Sequence, residues 1–232
     1  MFDKTVKNTY TNKFWAAGIT TLLVMSYAPA AIAEPISTYV PNTSTPQEEV
    51  LQSTEDEDPV SANRYFKPTT LTERIILQHA NELGLDAFLL KDQLYSFADM
   101  TKHIESDNKR GATNAYSGAM SYYQFLPNSV VTAVNRLEIV MKQHGMGRVP
   151  AWASRVHKNP QEIYSLSMPQ QRLLVIANII EQDRSDEYIL KLGSGNNAIA
   201  KNLYYKFHHT APDPATKSRT NTLYPQYFPK TI

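Results

Sequence analysis

From residue 68 onward the sequence predicts a mainly α-helical fold, and three observations carry that expectation. Apolar residues recur at helical intervals in segment after segment. No run alternates apolar and polar residues with period two, and no internal repeat is present. Glycine and proline fall between the periodic segments, at the places where helices stop and start.

Taken in order, residues 1–33 read as an export signal. Lys4, Lys7 and Lys13 form a positive start, Phe14 to Ser26 is apolar or small, and Ala31-Ile32-Ala33 supplies a small-residue cleavage site before Glu34. The alternative is a retained membrane anchor. The apolar stretch falls short of the roughly 20 residues a spanning helix needs, and Pro29 interrupts its end. The expectation is therefore cleavage, export to the periplasm and no transmembrane anchor in the mature chain. Residues 34–67 are rich in Pro, Ser, Thr and acids, with a net charge of −5. Few apolar anchors are present, so this segment is expected to be a disordered linker.

The remaining residues carry a net charge of +4, a weak pull toward an anionic envelope polymer. Thr70 to Leu83 has a helical stripe of Leu71, Ile75, Ile76, Ala80 and Leu83, with Gly84 as its stop. Asp86 to Ser106 continues with Phe88, Leu89, Leu94, Phe97, Met100 and Ile104, with room for a break near Lys91 or Asp92. Lys109 to Gly118 has loop composition. Helical character is expected to resume near Ala119, kink at Pro127 and run to Met141. After Gly145, Gly147 and Pro150 comes a looser stretch holding Trp152 and Tyr164. Ser167 is a suitable cap for a helix with Pro169 in its first turn and Leu173 to Ile180 inside. Short helices are expected over Asp186–Leu192 and Asn196–His208, and residues 211–232 as an irregular tail.

Chemistry must come from oxygen and imidazole groups, because the chain has no cysteine. That excludes thiolate metal sites, cysteine nucleophiles and disulfide scaffolds. The six histidines show no His-Glu-x-x-His pattern, and His208 and His209, as neighbours on a helix, are expected to point apart, so no metal and no cofactor are expected. Lys and Arg are scattered and no nucleic-acid-binding module appears. Trp152, near Arg148 and Arg155, suits either a sugar-stacking or a loop-anchoring role.

The informative stretch runs from Glu105 to Pro127. A glutamate closes an apolar helix, a Gly-bearing polar loop follows, and Ser121-Tyr122-Tyr123-Gln124 leads to the next helix. Read from composition alone, Glu105 is either a solvated helix-end carboxylate or an acid at the floor of a cleft. In a cleft, desolvation would raise its pKa and keep the proton that a general acid donates.

Glu105-Ser106, followed by Gly118-Ala-Met-Ser-Tyr-Tyr-Gln124-Phe-Leu-Pro127, resembles the glutamate-serine and Gly-Ala-x-Gly-Leu-x-Gln-x-x-Pro motifs of the soluble lytic transglycosylase domain, a relative of goose-type lysozyme. The likeness extends more loosely from about Leu71 to His209. It implies a lysozyme-like helical domain with a substrate groove over residues 68–210. It also implies Glu105 as the single acid/base, with Ser106, Ser121, Tyr122, Tyr123 and Gln124 beside the sugar site. Asn178 would stand for the family's helical asparagine, and Tyr204 or Tyr205 for the tyrosine that approaches the glutamate. Ser121 and Tyr122 replace the family's Gly and Leu, so Tyr122 is expected to alter or narrow the groove, and the usual Tyr-Asn-Ala-Gly wording is absent.

The implied activity is cleavage of the bond between N-acetylmuramic acid and N-acetylglucosamine in peptidoglycan, with closure of a 1,6-anhydro ring. The implied partners are peptidoglycan glycan strands and, through the wall opening such proteins serve, an envelope-spanning secretion or conjugation complex. A hydrolytic muramidase on the same fold, or a catalytically silent wall-binding protein, are the alternatives.

Overall fold

A computed structural model describes residues 58–229 apart from Tyr116 and Ala211, so the export signal and most of the expected linker lie outside the described residues. The architecture is mainly α-helical, and the described residues contain no β-sheet, only isolated bridges pairing Met120 with Thr113 and Phe125. Among the described residues no helix is long and apolar enough to cross a membrane.

Asp58 caps the short helix α1, Pro59–Ala62, which continues as a 3₁₀ turn over Asn63–Tyr65. The end of the expected linker thus belongs to the folded unit. Asn63 is buried, and its amide donates to Asn81 Oδ1 at 2.8 Å and to the Leu85 carbonyl at 2.9 Å. Its oxygen accepts from Ala87 N at 2.7 Å. These bonds, with the buried Phe66 ring, fasten the segment to the next helical junction. Composition concealed this, because one satisfied amide and one ring do the anchoring.

Helix α2, Leu71–Leu83, opens with a reciprocal capping box between Thr70 and Glu73 and closes at Gly84, whose φ of 67° is the left-handed geometry glycine tolerates. Helix α3 runs unbroken over Ala87–Ser106 from the Asp86 cap, without an interruption at Lys91 or Asp92. Leu90, Leu94, Phe97, Thr101 and Ile104 are all buried along it, spaced alternately four and three residues apart on one face.

Pro127 starts helix α4, Pro127–Gln143, instead of kinking a longer one. Proline lacks the N–H that a first-turn residue does not need, so it suits an opening position. The expected loose stretch forms helix α5, Ala151–Lys158, and a 3₁₀ segment over Pro160–Ser165. Helix α6, Met168–Gln182, is capped by Ser167 and buries Leu173 through Ala177 without a break, the pattern of a helix surrounded by others. It packs on α4 and on α3.

Helix α7, Glu187–Gly193, and helix α8, Ile199–Leu203, follow. A π turn over Tyr204–His208 extends α8. In place of the expected irregular tail, helix α9 spans Pro214–Tyr227 and packs on α3. Asp213 caps it by accepting from Ala215 N and Thr216 N, and Thr220, Leu223 and Phe228 are buried. Its polar composition hid it, since it is held by a cap and a few buried side chains instead of a broad apolar stripe.

Candidate active site

Helix α3 ends one residue after Glu105, where Asp107 turns into the left-handed region at φ 51°. This termination leaves Glu105 11% exposed in a cleft of about 760 Å³, a volume typical of ligand sites. The loop between α3 and α4, the outer turns of α4, α6, the π turn and α9 all contribute to its walls.

Three side chains converge on one oxygen of Glu105. The Tyr204 hydroxyl donates to Oε1 at 2.6 Å and His209 Nδ1 donates to it at 3.1 Å. His208 Nε2 stands 3.7 Å away and donates instead to the Tyr123 carbonyl at 3.1 Å. Tyr204, not Tyr205, therefore reaches the glutamate, while Tyr205 packs edge-on against the Tyr204 ring.

The expectation that His208 and His209 diverge fails for a local reason. His209 N bonds to the Tyr204 carbonyl, five residues back, at 2.8 Å, so the turn is wider than an α turn. His209 then leaves the helix at φ −122° and ψ 76°. The wider turn places His208 and His209 both near-parallel to the Tyr204 ring, with centroids 5.9 and 5.8 Å away. Both imidazoles consequently face Glu105.

Burial alone pushes the Glu105 pKa up, as expected for a cleft carboxyl. The His209 hydrogen bond, the nearby His208 and the Tyr204 hydroxyl outweigh it and hold the carboxyl below its usual range. The expected raised pKa is thereby corrected, because the carboxylate has donors that helical periodicity did not place. Burial lowers His208 despite Glu105. The hydrogen bond to Glu105 raises His209, and burial together with the carboxylate raises the Tyr204 phenol. These shifts favour a carboxylate at Glu105 and a proton on His209, beside a His208 and a Tyr204 phenol that burial keeps toward their uncharged forms.

Gln124 and Asn178 also line the cleft. Gln124 has φ 49°, and its amide donates to the Ala112 and Ser121 carbonyls at 3.1 and 2.9 Å, bracing the loop. Asn178 Oδ1 accepts from Arg136, whose Nε also lies 2.9 Å from Glu181.

The other expected sugar contacts are not in the lining. Ser106 donates to the Lys102 and Tyr122 carbonyls at 3.0 and 2.8 Å, tying the helix end to the loop. Ser121, at φ 65°, is buried and accepts from Gln171 at 2.9 Å. Tyr123 is buried in the core, and Tyr122 packs against the core and does not narrow the cleft. The bridges about Met120 fold this stretch back on itself, which turns these side chains inward. Trp152 likewise packs against the core. His103 Nδ1 contacts the Tyr227 hydroxyl at 2.9 Å, an α3–α9 contact instead of a cleft one.

The nearby charges are committed elsewhere. Asp213 lines the cleft but is engaged in capping α9. Arg219 donates to the His103 carbonyl at 2.6 Å and pairs with Asp107, so a cation closes the C-terminal end of α3.

Known protein families, curated proteins and solved structures yield no match to the chain. The site therefore rests on its own geometry: one part-buried carboxylate, held by a phenol and an imidazole, open to a cleft bordered by amides and hydroxyls.

Proposed function

We propose that the protein is a periplasmic peptidoglycan lytic transglycosylase with Glu105 as its single acid/base. The observation that carries this reading is the convergence of Tyr204 and His209 on the part-buried Glu105 carboxylate in a cleft whose other carboxylate among the described residues, Asp213, is occupied as a helix cap. It agrees with the motif resemblance, in which one carboxylate serves both steps. Most glycosidases pair two carboxylates, with the second acting on water or on the sugar. A sugar that supplies its own nucleophile needs only one.

A glycan strand in the cleft excludes water, which disfavours the separated charges of the Glu105–His209 pair. The proton moves from His209 Nδ1 to Glu105, leaving both groups neutral. Glu105 then protonates the oxygen between N-acetylmuramic acid and N-acetylglucosamine, and the C1–O4 bond breaks. The 2-acetamido carbonyl supports the developing cation. Glu105, now a carboxylate, takes the proton from the muramoyl 6-hydroxyl as O6 bonds to C1, so the carboxyl is protonated again at the end. Neither step consumes water. Tyr204 orients the carboxylate throughout, while Gln124 and Asn178 offer amide contacts to the sugar.

The test is mass spectrometry of fragments released from purified wall. The wild-type protein should yield 1,6-anhydro-N-acetylmuramic acid ends, and folded Glu105→Gln should lose at least about a hundredfold in rate. Reducing N-acetylmuramic acid ends would show a hydrolase instead. Wall binding without products from the wild type would show a silent binder. Export to the periplasm and local wall opening for a secretion or conjugation complex complete the reading.

A further inference from the structure

We propose that His79, Glu82 and His144 form a binding site for one divalent transition-metal ion, of which zinc is the best match. His79 and Glu82 lie three residues apart on α2 and so share a face, and His144 stands at the C-terminal cap of α4. One donor atom from each lies within 4.8 Å of the others. The two imidazoles meet edge to face, with centroids 5.7 Å apart.

The second, independent observation is the state of the ring nitrogens. The His79 side chain is only 7% exposed, yet neither of its nitrogens has a hydrogen-bond partner. His144 is 2% exposed at its side chain, and its Nε2 is also without a partner, while its Nδ1 lies 2.9 Å from Glu82 Oε1. Buried polar atoms are almost always satisfied, and each neutral imidazole carries one lone-pair nitrogen, so each of these rings has a donor to offer a cation. Asp186 Oδ1 approaches His79 Nε2 to only 3.5 Å, too far for a good hydrogen bond but suited to orienting a ligating imidazole.

The donor set selects the ion. Two neutral imidazoles and one carboxylate suit zinc and similar borderline-soft ions better than calcium or magnesium, and they leave a coordination position for water. Zinc needs nitrogen and oxygen donors at about 2.0–2.2 Å, so the ion must draw the donors together. Glu82 is half-exposed and already leans on His144, and its exposure gives the ion its way in. Such an ion would clasp the ends of α2 and α4 together. This site shares no residue with the cleft, so its standing is independent of the proposed enzymatic activity.

The experiment is calorimetric titration of zinc into the chelator-treated protein, with thermal melting in parallel. The expected result is one equivalent bound and a melting temperature that rises by several degrees when zinc is well above its Kd. Glu82→Gln, which alters an exposed side chain and leaves the fold intact, should weaken binding by at least about tenfold, and His144→Gln likewise. Release of wall fragments by Glu82→Gln should match that of the wild type. The proposal is overturned by absence of stoichiometric binding to the wild type. It is equally overturned by unchanged affinity in the Glu82→Gln, His144→Gln double variant, or by affinity lost on His209→Gln, which would place the ion in the cleft.

Discussion

His209 is the residue whose protonation the cleft depends on, and its pH behaviour follows from its partner. Its folded pKa is raised, chiefly by the hydrogen bond to Glu105, so the stability it contributes is fully present below about pH 6.5 and is lost as pH rises through the folded value. The Glu105 pKa is lowered, so its contribution is present above about pH 4.3 and fades as pH falls through its folded value. The stability difference between the wild type and His209→Gln should therefore be greatest between those limits and shrink on either side, as read from urea melts. In catalysis, the alkaline limb of kcat/KM should move to lower pH in His209→Gln, since Glu105 then lacks its proton store. Ser121 tests the backbone at the same scale. Its φ of 65° suits glycine, and the Gln171 contact compensates, so Ser121→Gly should lie within about 1 kcal/mol of wild type while Ser121→Val should lose about 2 kcal/mol or more. Glu105 was legible because a motif frames it. The histidines were not, because an adjacent pair on an α-helix has no common face until one turn is widened.

Among the elements, α9 contributes most beyond what its sequence suggested. Leu223 is its main buried aliphatic side chain, and Leu223→Ala should cost about 2–4 kcal/mol by chemical denaturation. Arg219→Ala should remove the cation closing α3 and cost about 1 kcal/mol, with a larger fall in wall cleavage because Arg219 also lines the cleft. Helices α2 and α6 were readable at both ends because their caps are chemical statements: Thr70 with Glu73, Gly84, and Ser167 before Pro169. The loop from residue 107 to 126 was readable only in outline. Its form depends on carbonyls satisfied by Gln124 and Ser106, and such contacts carry no periodicity.

At the scale of the whole molecule, the helical class followed from the spacing of apolar residues, whereas the N-terminal limit of the folded unit did not. A chain beginning at residue 68 lacks the Asn63 hydrogen bonds and the Phe66 ring. It should be less stable than one beginning at residue 58 by about 3 kcal/mol, measured by paired denaturant melts. The first and last described segments share α3: the segment before α2 fastens the α2–α3 junction, and α9 closes the far end of α3. Stability and the shape of the cleft are thereby linked through α3, which carries Glu105.

The π turn has a genetic consequence. Between Tyr204 and His208 the chain carries one residue more than an α-helical ladder requires. In-frame loss of a single codon there, such as that of the exposed Lys206, should let the turn relax to an ordinary helical one and swing the imidazole away from the acid. A lineage could therefore switch this centre off, or regain it, by a three-nucleotide step.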